Sequence, residues 1–273
     1  MFGVQRFISE EKSQNFDNNL KKKGVGKTAV LLILTFTLTT FLHAYSLTQN
    51  SWVQQEKLMA GAPDPFHLFG SSVAVSGKTA VFGAIVDDDD EVFSGAAYVF
   101  IHNGDSWSQQ AKLKADDPEA SDLFGRSVAI SGDTIVVGAF QDDDNGDSSG
   151  AAYVFVRSGS SWSEQAKLTP SHSAAGDQFG YSVAISGDTV VIGAIGDEDN
   201  GRSSGAAYVF VRSGGNWSQQ EKLTASDAAA VDIFGNSVAV SEDTIVIGAP
   251  GDDDGGTSSG SAYVFMRSAG NWN

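Results

Sequence analysis

The sequence predicts an all-β fold of four-stranded blades repeated every 55 residues, and three observations predict it. Trp52, Trp107, Trp162, Trp217 and Trp272 stand 55 residues apart. Phe69-Gly70, Gly83-Ala84 and the Tyr-Val-Phe triplet at Tyr98 recur at the same interval through Phe234-Gly235, Gly248-Ala249 and Tyr263. A period of this length marks a propeller, solenoid or array. Beyond residue 50 no segment shows the 3.6-residue apolar period of a helix, whereas short alternating and β-branched runs abound.

The second repeat shows the elements in order. Trp107–Leu113 (WSQQAKL) alternates, with Trp107, Gln109, Ala111 and Leu113 on one side and Ser108, Gln110 and Lys112 on the other. That is the pattern of a half-exposed outer strand. Phe124–Ile130 (FGRSVAI) reads as a second strand, with Val128 and Ile130 on one face. Thr134–Ala139 (TIVVGA) and Ala151–Val156 (AAYVFV) are nearly continuous apolar runs, as in strands buried on both faces. Four strands per repeat, two of them doubly buried, describe β-propeller blades packed face to face around an axis.

Phe-Gly, then Gly-Ala, then Tyr-Val-Phe, with Gly-Ala-Pro at Gly248–Pro250, resembles the FG-GAP repeat. That repeat is the blade unit of integrin α-subunit propellers and of many bacterial exported proteins. The resemblance covers residues 51–273 and recurs four times. It implies that the Phe-Gly strand is innermost, the Gly-Ala strand second, the Tyr-Val-Phe strand third and the Trp strand outermost. Ser51–Leu58 then reads as an outer strand without a blade of its own. Two architectures remain open. In a closed four-bladed ring the Trp52 strand completes the last blade. In a fragment of a larger, seven-bladed propeller, Trp272 holds that slot instead.

The chain has 273 residues, 41% apolar and 19% charged, with 31 Gly, 5 Pro and no Cys. That composition supports a folded core and excludes collagen-like and Pro-rich disordered chains. It also excludes disulfides, thiolate metal sites and a Cys nucleophile. The formal charge of −17 would repel a phosphate backbone, so nucleic acid is excluded as a partner. Residues 1–44 stand apart. The basic run Lys21, Lys22, Lys23 and Lys27 precedes an uncharged stretch, Thr28–Leu42, and then His43-Ala44. This reads as a secretory signal cleaved after Ala44, or as an uncleaved signal anchor. Gly26-Lys27-Thr28 is no phosphate loop, because Lys21 stands where that motif needs Gly. Residues 45–50 are a linker, and 51–273 are the propeller repeats. Residues 1–44 hold six basic and three acidic side chains, so without them the charge falls from −17 to −20. A Cys-free, strongly acidic, exported chain suits the periplasm, the cell surface or the extracellular space. Membrane contact is expected only through an uncleaved anchor.

The acidic clusters follow the repeat: Asp87–Glu91, Asp142–Asp147, Asp197–Gly201 and Asp252–Gly256, each between the second and third strands. The links between blades add Asp116, Asp117, Glu119, Asp122, Asp177, Asp227 and Asp232 to the same face. The opposite face holds tight turns such as Ser131-Gly132-Asp133 and a sparse ring of Arg157, Arg212 and Arg267. Clustered carboxylates are hard oxygen ligands suited to Ca²⁺. Asp142, Asp144, Asp197, Asp199, Asp252 and Asp254 are the candidate Ca²⁺ ligands, and a solvated acidic rim is the alternative. Integrin-type blades carry their Ca²⁺ loop between the Phe-Gly and Gly-Ala strands. Here that segment is a short Ser-Gly-Asp-Thr turn, so the family's Ca²⁺ loop is missing. Gly125, Gly138 and Gly150 read as sites of positive φ or close backbone approach. The Trp and Tyr columns read as blade packing, with sugar stacking as the alternative. Asn216-Trp217-Ser218 is a glycosylation sequon of use only in a eukaryotic secretory host.

An enzyme needs a singular site, and little breaks this repeat. His67 replaces the Asp of its column and His102 replaces an Arg, neither with a distinctive Ser or carboxylate beside it. The expectation is an exported, noncatalytic propeller that binds an extracellular protein or surface glycan through loops at one rim. The alternatives are a propeller appendage of a secreted hydrolase, with its catalytic part beyond Asn273, and a structural cell-envelope repeat.

Overall fold

The computed structural model describes residues 52–61 and 65–273. The expected signal or anchor at 1–44 and the linker at 45–50 lie outside the described residues. Residues 1–55 and 56–273 separate into two units, and the architecture below is that of the second.

Sixteen strands form four antiparallel sheets, one per repeat. The first blade holds β1 (Phe69–Ser76), β2 (Thr79–Ala84), β3 (Ala96–His102) and β4 (Trp107–Leu113). The second holds β5 (Ser127–Ser131), β6 (Thr134–Ala139), β7 (Ala151–Ser158) and β8 (Ser161–Leu168). The third holds β9 (Phe179–Ser186), β10 (Thr189–Ala194), β11 (Ala206–Ser213) and β12 (Asn216–Leu223). The fourth holds β13 (Ser237–Ser241), β14 (Thr244–Ala249), β15 (Ser261–Ser268) and β16 (Asn271–Trp272). Strand order within each blade follows the chain, as the repeat implied. The first strands of successive blades contact one another, β1 on β5, β5 on β9 and β9 on β13, so they form the inner edge.

The two apolar runs behave as their composition demands. All six residues of β6 and of β10 are buried, as are the first five of β7 and β11. Each blade meets the next through a dry layer. Val136, Val154 and Leu168 of the second pack on Phe179, Ile192, Tyr208 and Phe210 of the third. Side chains of this size, fully buried, contribute about 2 kcal/mol each. Within the third blade's face of this layer, the Phe179 ring lies 5.5 Å from Tyr208 at a steep angle. The blades approach so closely that glycine is required at the contact. A Cβ on Gly138 would fall 2.0 Å from the Gly180 carbonyl oxygen. Gly125 and Gly150 adopt φ of +91° and +84°, which a side chain would strain.

Three expectations are corrected. Phe124 does not open a strand: β5 begins at Ser127, and Phe124 bridges in parallel to Gly95 of the preceding blade. Trp107 and Leu113 do not share a face. A bulge between the Val99–Ala111 and Phe100–Gln109 pairs inserts Gln110 and reverses the alternation. Trp107 therefore packs with Tyr98 and Phe100, while Leu113 packs on the second blade. Residues 52–60 form no strand, and Trp52 is fully exposed. The fourth blade takes its outer strand from Trp272 instead.

The four blades form an open run, not a closed ring. Val73 and Val75 on the first blade are 65% and 68% exposed, and Val264 on the fourth is 60% exposed. Their counterparts in the inner blades are covered by a neighbour. The closed four-bladed reading is thereby set aside.

Candidate functional site: an acidic rim with internal cations

The two sets of acidic loops meet on one face, as the repeat predicted. In the second blade Tyr153 donates its hydroxyl to Asp142 at 2.7 Å and to Asp117, on the link from the first blade, at 2.9 Å. The first Asp of each run is a structural anchor. Asp87, Asp142, Asp197 and Asp252 are all 3% exposed or less, and each accepts the hydroxyl of its blade's Tyr. Each also accepts the backbone N–H two residues on, as Asp142 does from Asp144 at 3.4 Å. This Asx turn shapes the loop. The carboxylates that follow, Asp88, Asp143, Glu198 and Asp253, are exposed.

Counting acids in the sequence missed the cations among them. Lys167 on β8 places its ammonium 2.9 Å from Asp117, 2.8 Å from Asp142 and 2.6 Å from Asp144. Lys222 lies 2.6 Å from both Asp197 and Asp199, and Lys112 bridges Asp87 and Asp89. Burial alone would lower each ammonium's pKa, but hydrogen bonds to the paired carboxylates outweigh it and raise it. The same bonds hold Asp89 and Asp199 below the usual carboxylate range. The signal was present in the sequence: Lys57, Lys112, Lys167 and Lys222 keep the 55-residue period.

The six expected Ca²⁺ ligands therefore divide. Asp142, Asp144, Asp197 and Asp199 already face an ammonium. Among the described residues no ammonium faces Asp252 or Asp254, and they gather with Asp227 so that one oxygen from each lies within 4.8 Å of the others. Repulsion from Asp252 and then Asp227 raises the Asp254 carboxyl above its usual range. His67, Asp88 and Asp89 converge as closely, but Lys112 engages Asp89 there and an imidazole is a poor ligand for a hard cation.

The link carboxylates are structural too. Asp122, Asp177 and Asp232 each accept the N–H of the residue three before, at 2.7–2.8 Å. Burial pushes Asp122 up to about 6. His67, in their column, instead reaches Asp88 at 2.8 Å. On the opposite face the arginines are engaged as well. Arg157 pairs with Asp133 at 2.5 Å and lies 5.2 Å over the Trp162 ring. Trp162 donates its indole N–H to Gln110 of the preceding blade at 2.9 Å. The Arg and Trp columns thus serve blade packing.

Four successive four-stranded blades with close glycine contacts define a β-propeller interaction module. The FG-GAP repeat model matches residues 52–100, 107–155, 162–210 and 217–265, and the chain belongs to that family. None of the curated proteins matches the chain significantly.

Proposed function

We propose that the chain is an exported, noncatalytic interaction module that takes an extracellular protein or surface glycan at its acidic rim. One observation carries this reading. Each loop buries its first Asp as an anchor and turns the following carboxylate outward, so equivalent acids recur blade by blade along one rim. A partner with periodic positive charge or cation-bridged hydroxyl groups fits such a row. The triple variant Asp143→Asn, Glu198→Gln, Asp253→Asn keeps every anchor and removes three exposed charges. Screened on arrays of matrix proteins and glycans, it is expected to lose the ligand that the unaltered chain retains. Unchanged binding by the variant would move the site elsewhere.

Calcium belongs to the same proposal, at the fourth loop. Asp227, Asp252 and Asp254 offer three converging hard oxygens, and Ca²⁺ completes its shell with water. A cation bound to the folded state stabilises by mass action, about 2.7 kcal/mol at 100 times Kd. Millimolar Ca²⁺ is expected to raise the melting temperature more than Mg²⁺ at matched ionic strength. Asp254→Asn is expected to abolish that difference, whereas Asp144→Asn leaves it. Identical curves in Ca²⁺, Mg²⁺ and matched NaCl would remove calcium from the proposal.

A further inference from the structure

The repeat breaks at one junction, and it breaks in charge. Where the first blade meets the second, a groove of about 590 Å³ opens between β4 and β8. Asp90, Lys114, Asp116 and Glu164 line it, and none of the four is what its column dictates. Asp90 stands for Asn145 and Asn200, Lys114 for Thr169 and Thr224, Asp116 for Ser171 and Ser226, and Glu164 for Gln109 and Gln219. At the junction of the second and third blades the same positions carry amides and hydroxyls, so the protein supplies its own comparison. Both walls of the groove belong to complete four-stranded blades.

The backbone frame is the same at both junctions. The Asp116 N–H donates to Glu164 at 3.1 Å, as the Ser171 N–H donates to Gln219 at 2.8 Å. Only the charges differ. Lys114 pairs with Asp90 at 2.6 Å, so those two cancel. Lys112 is held by Asp87 and Asp89, and Lys167 by Asp117, Asp142 and Asp144. Among the described residues no ammonium or guanidinium pairs with Asp116 or Glu164, and Oε2 alone of the Glu164 oxygens accepts a hydrogen bond. Burial holds the Glu164 carboxyl above its ordinary range, and the charges of Asp116 and Asp117 add to that. The rest of the wall is largely apolar, with buried Leu113 and Phe155 and half-buried Trp162.

Two unpaired carboxylates beside an apolar wall suit a cation at the end of an apolar stem. A neutral, hydroxyl-rich ligand would be served as well by the neutral junction. Arginine fits better than lysine, because a guanidinium is less strongly hydrated and forks across carboxylate oxygens. We propose that this groove takes an arginine side chain of an extracellular protein partner, its stem against Leu113, Phe155 and Trp162 and its guanidinium on Glu164 and Asp116. The inference rests on the chain being an exported interaction module, but it uses none of Asp143, Glu198 and Asp253.

Nuclear magnetic resonance on the full chain tests this, with mild detergent to cover the apolar run at 28–42. The probe is the blocked peptide acetyl-Gly-Arg-Gly-amide at constant ionic strength. It is expected to shift the indole N–H signal of Trp162 saturably and to leave that of Trp217, at the neutral junction, in place. The matching citrulline peptide keeps the shape without the charge and should bind about tenfold more weakly, as the loss of a charge-assisted hydrogen bond implies. Glu164→Gln restores the residue of the neighbouring columns and keeps an acceptor for the Asp116 N–H, so the fold is undisturbed. It should weaken the arginine peptide by about the same factor. Lys114→Thr removes a competing cation and should strengthen binding. The variant Asp143→Asn, Glu198→Gln, Asp253→Asn should still show the Trp162 shift, whether or not it keeps the rim's ligand, so the two readings fail separately. A Trp162 signal that the arginine peptide does not move, that the citrulline peptide moves equally, that stays as responsive in Glu164→Gln, or that the neutral trisaccharide maltotriose moves in its place would each overturn the proposal.

Discussion

Gly138→Ala is expected to destabilise the protein by about 3 kcal/mol, at the upper end for overpacking, whereas Gly248→Ala should cost less than about 1 kcal/mol. Both glycines hold the same column, in β6 and β14. The added methyl at 138 would stand 2.0 Å from the Gly180 carbonyl oxygen, which is backbone and cannot rotate away. Relief requires the second and third blades to separate, opening the layer of Val136, Val154, Phe179 and Tyr208. At 248 the methyl would meet the Ser237 hydroxyl at 2.5 Å, and a serine rotamer change clears it. Thermal unfolding checks the contrast, since about 3 kcal/mol corresponds to a drop of roughly 6–12 °C for a body of this size. Equal losses at the two positions would show that the blade-to-blade approach is not what requires glycine.

The same contrast explains what was legible in the sequence. Blade packing repeats, so its residues repeat. Thr134–Ala139 matched β6 residue for residue, and the short Ser131–Thr134 turn was visible because its two ends pair directly. The bulge at Gln110 was hidden, because the WSQQAKL pattern alternates smoothly whichever face each half takes. Register is set by the partner strand, and Phe100 pairs with Gln109 while Val99 pairs with Ala111. The rim was half legible. Runs of Asp announce an acidic face, but the cation that organises each of the first three runs sits 25 residues after its first Asp on another strand, as Lys167 does from Asp142. Only the antiparallel order of the blade brings them together. The open ends were legible only in part: Trp272 and Trp52 compete for one slot, and the structure gives it to Trp272.

Lys167→Met is expected to cost about 3 kcal/mol at neutral pH, in the range measured when one partner of a buried ion pair is removed. Methionine preserves the apolar stem beside the Tyr153 ring, over which the ammonium lies at 5.2 Å. What it removes is the one positive charge shared by Asp117, Asp142 and Asp144. Asp142 is 2% exposed and would keep only the Tyr153 hydroxyl at 2.7 Å and the Asp144 N–H at 3.4 Å. The sign with pH follows from Asp117. Burial opposes its ionisation, but hydrogen bonds from Lys167 and Tyr153 outweigh that and hold its pKa below the ordinary value. A depressed folded pKa contributes stability that is present above the unfolded value, near 4, and is lost as pH falls through the folded value. The unaltered protein should therefore lose stability on acidification below about pH 4, while the variant, with no ion pair to lose, gains as its crowded carboxylates take up protons. The two unfolding curves should converge as pH falls from 7 toward 4. Lys222→Met, which strips Asp197 and Asp199 in the next blade, should behave alike. A stability gap that stays constant with pH would show that the lysine acts through its stem, and that the rim's carboxylates do not need its charge.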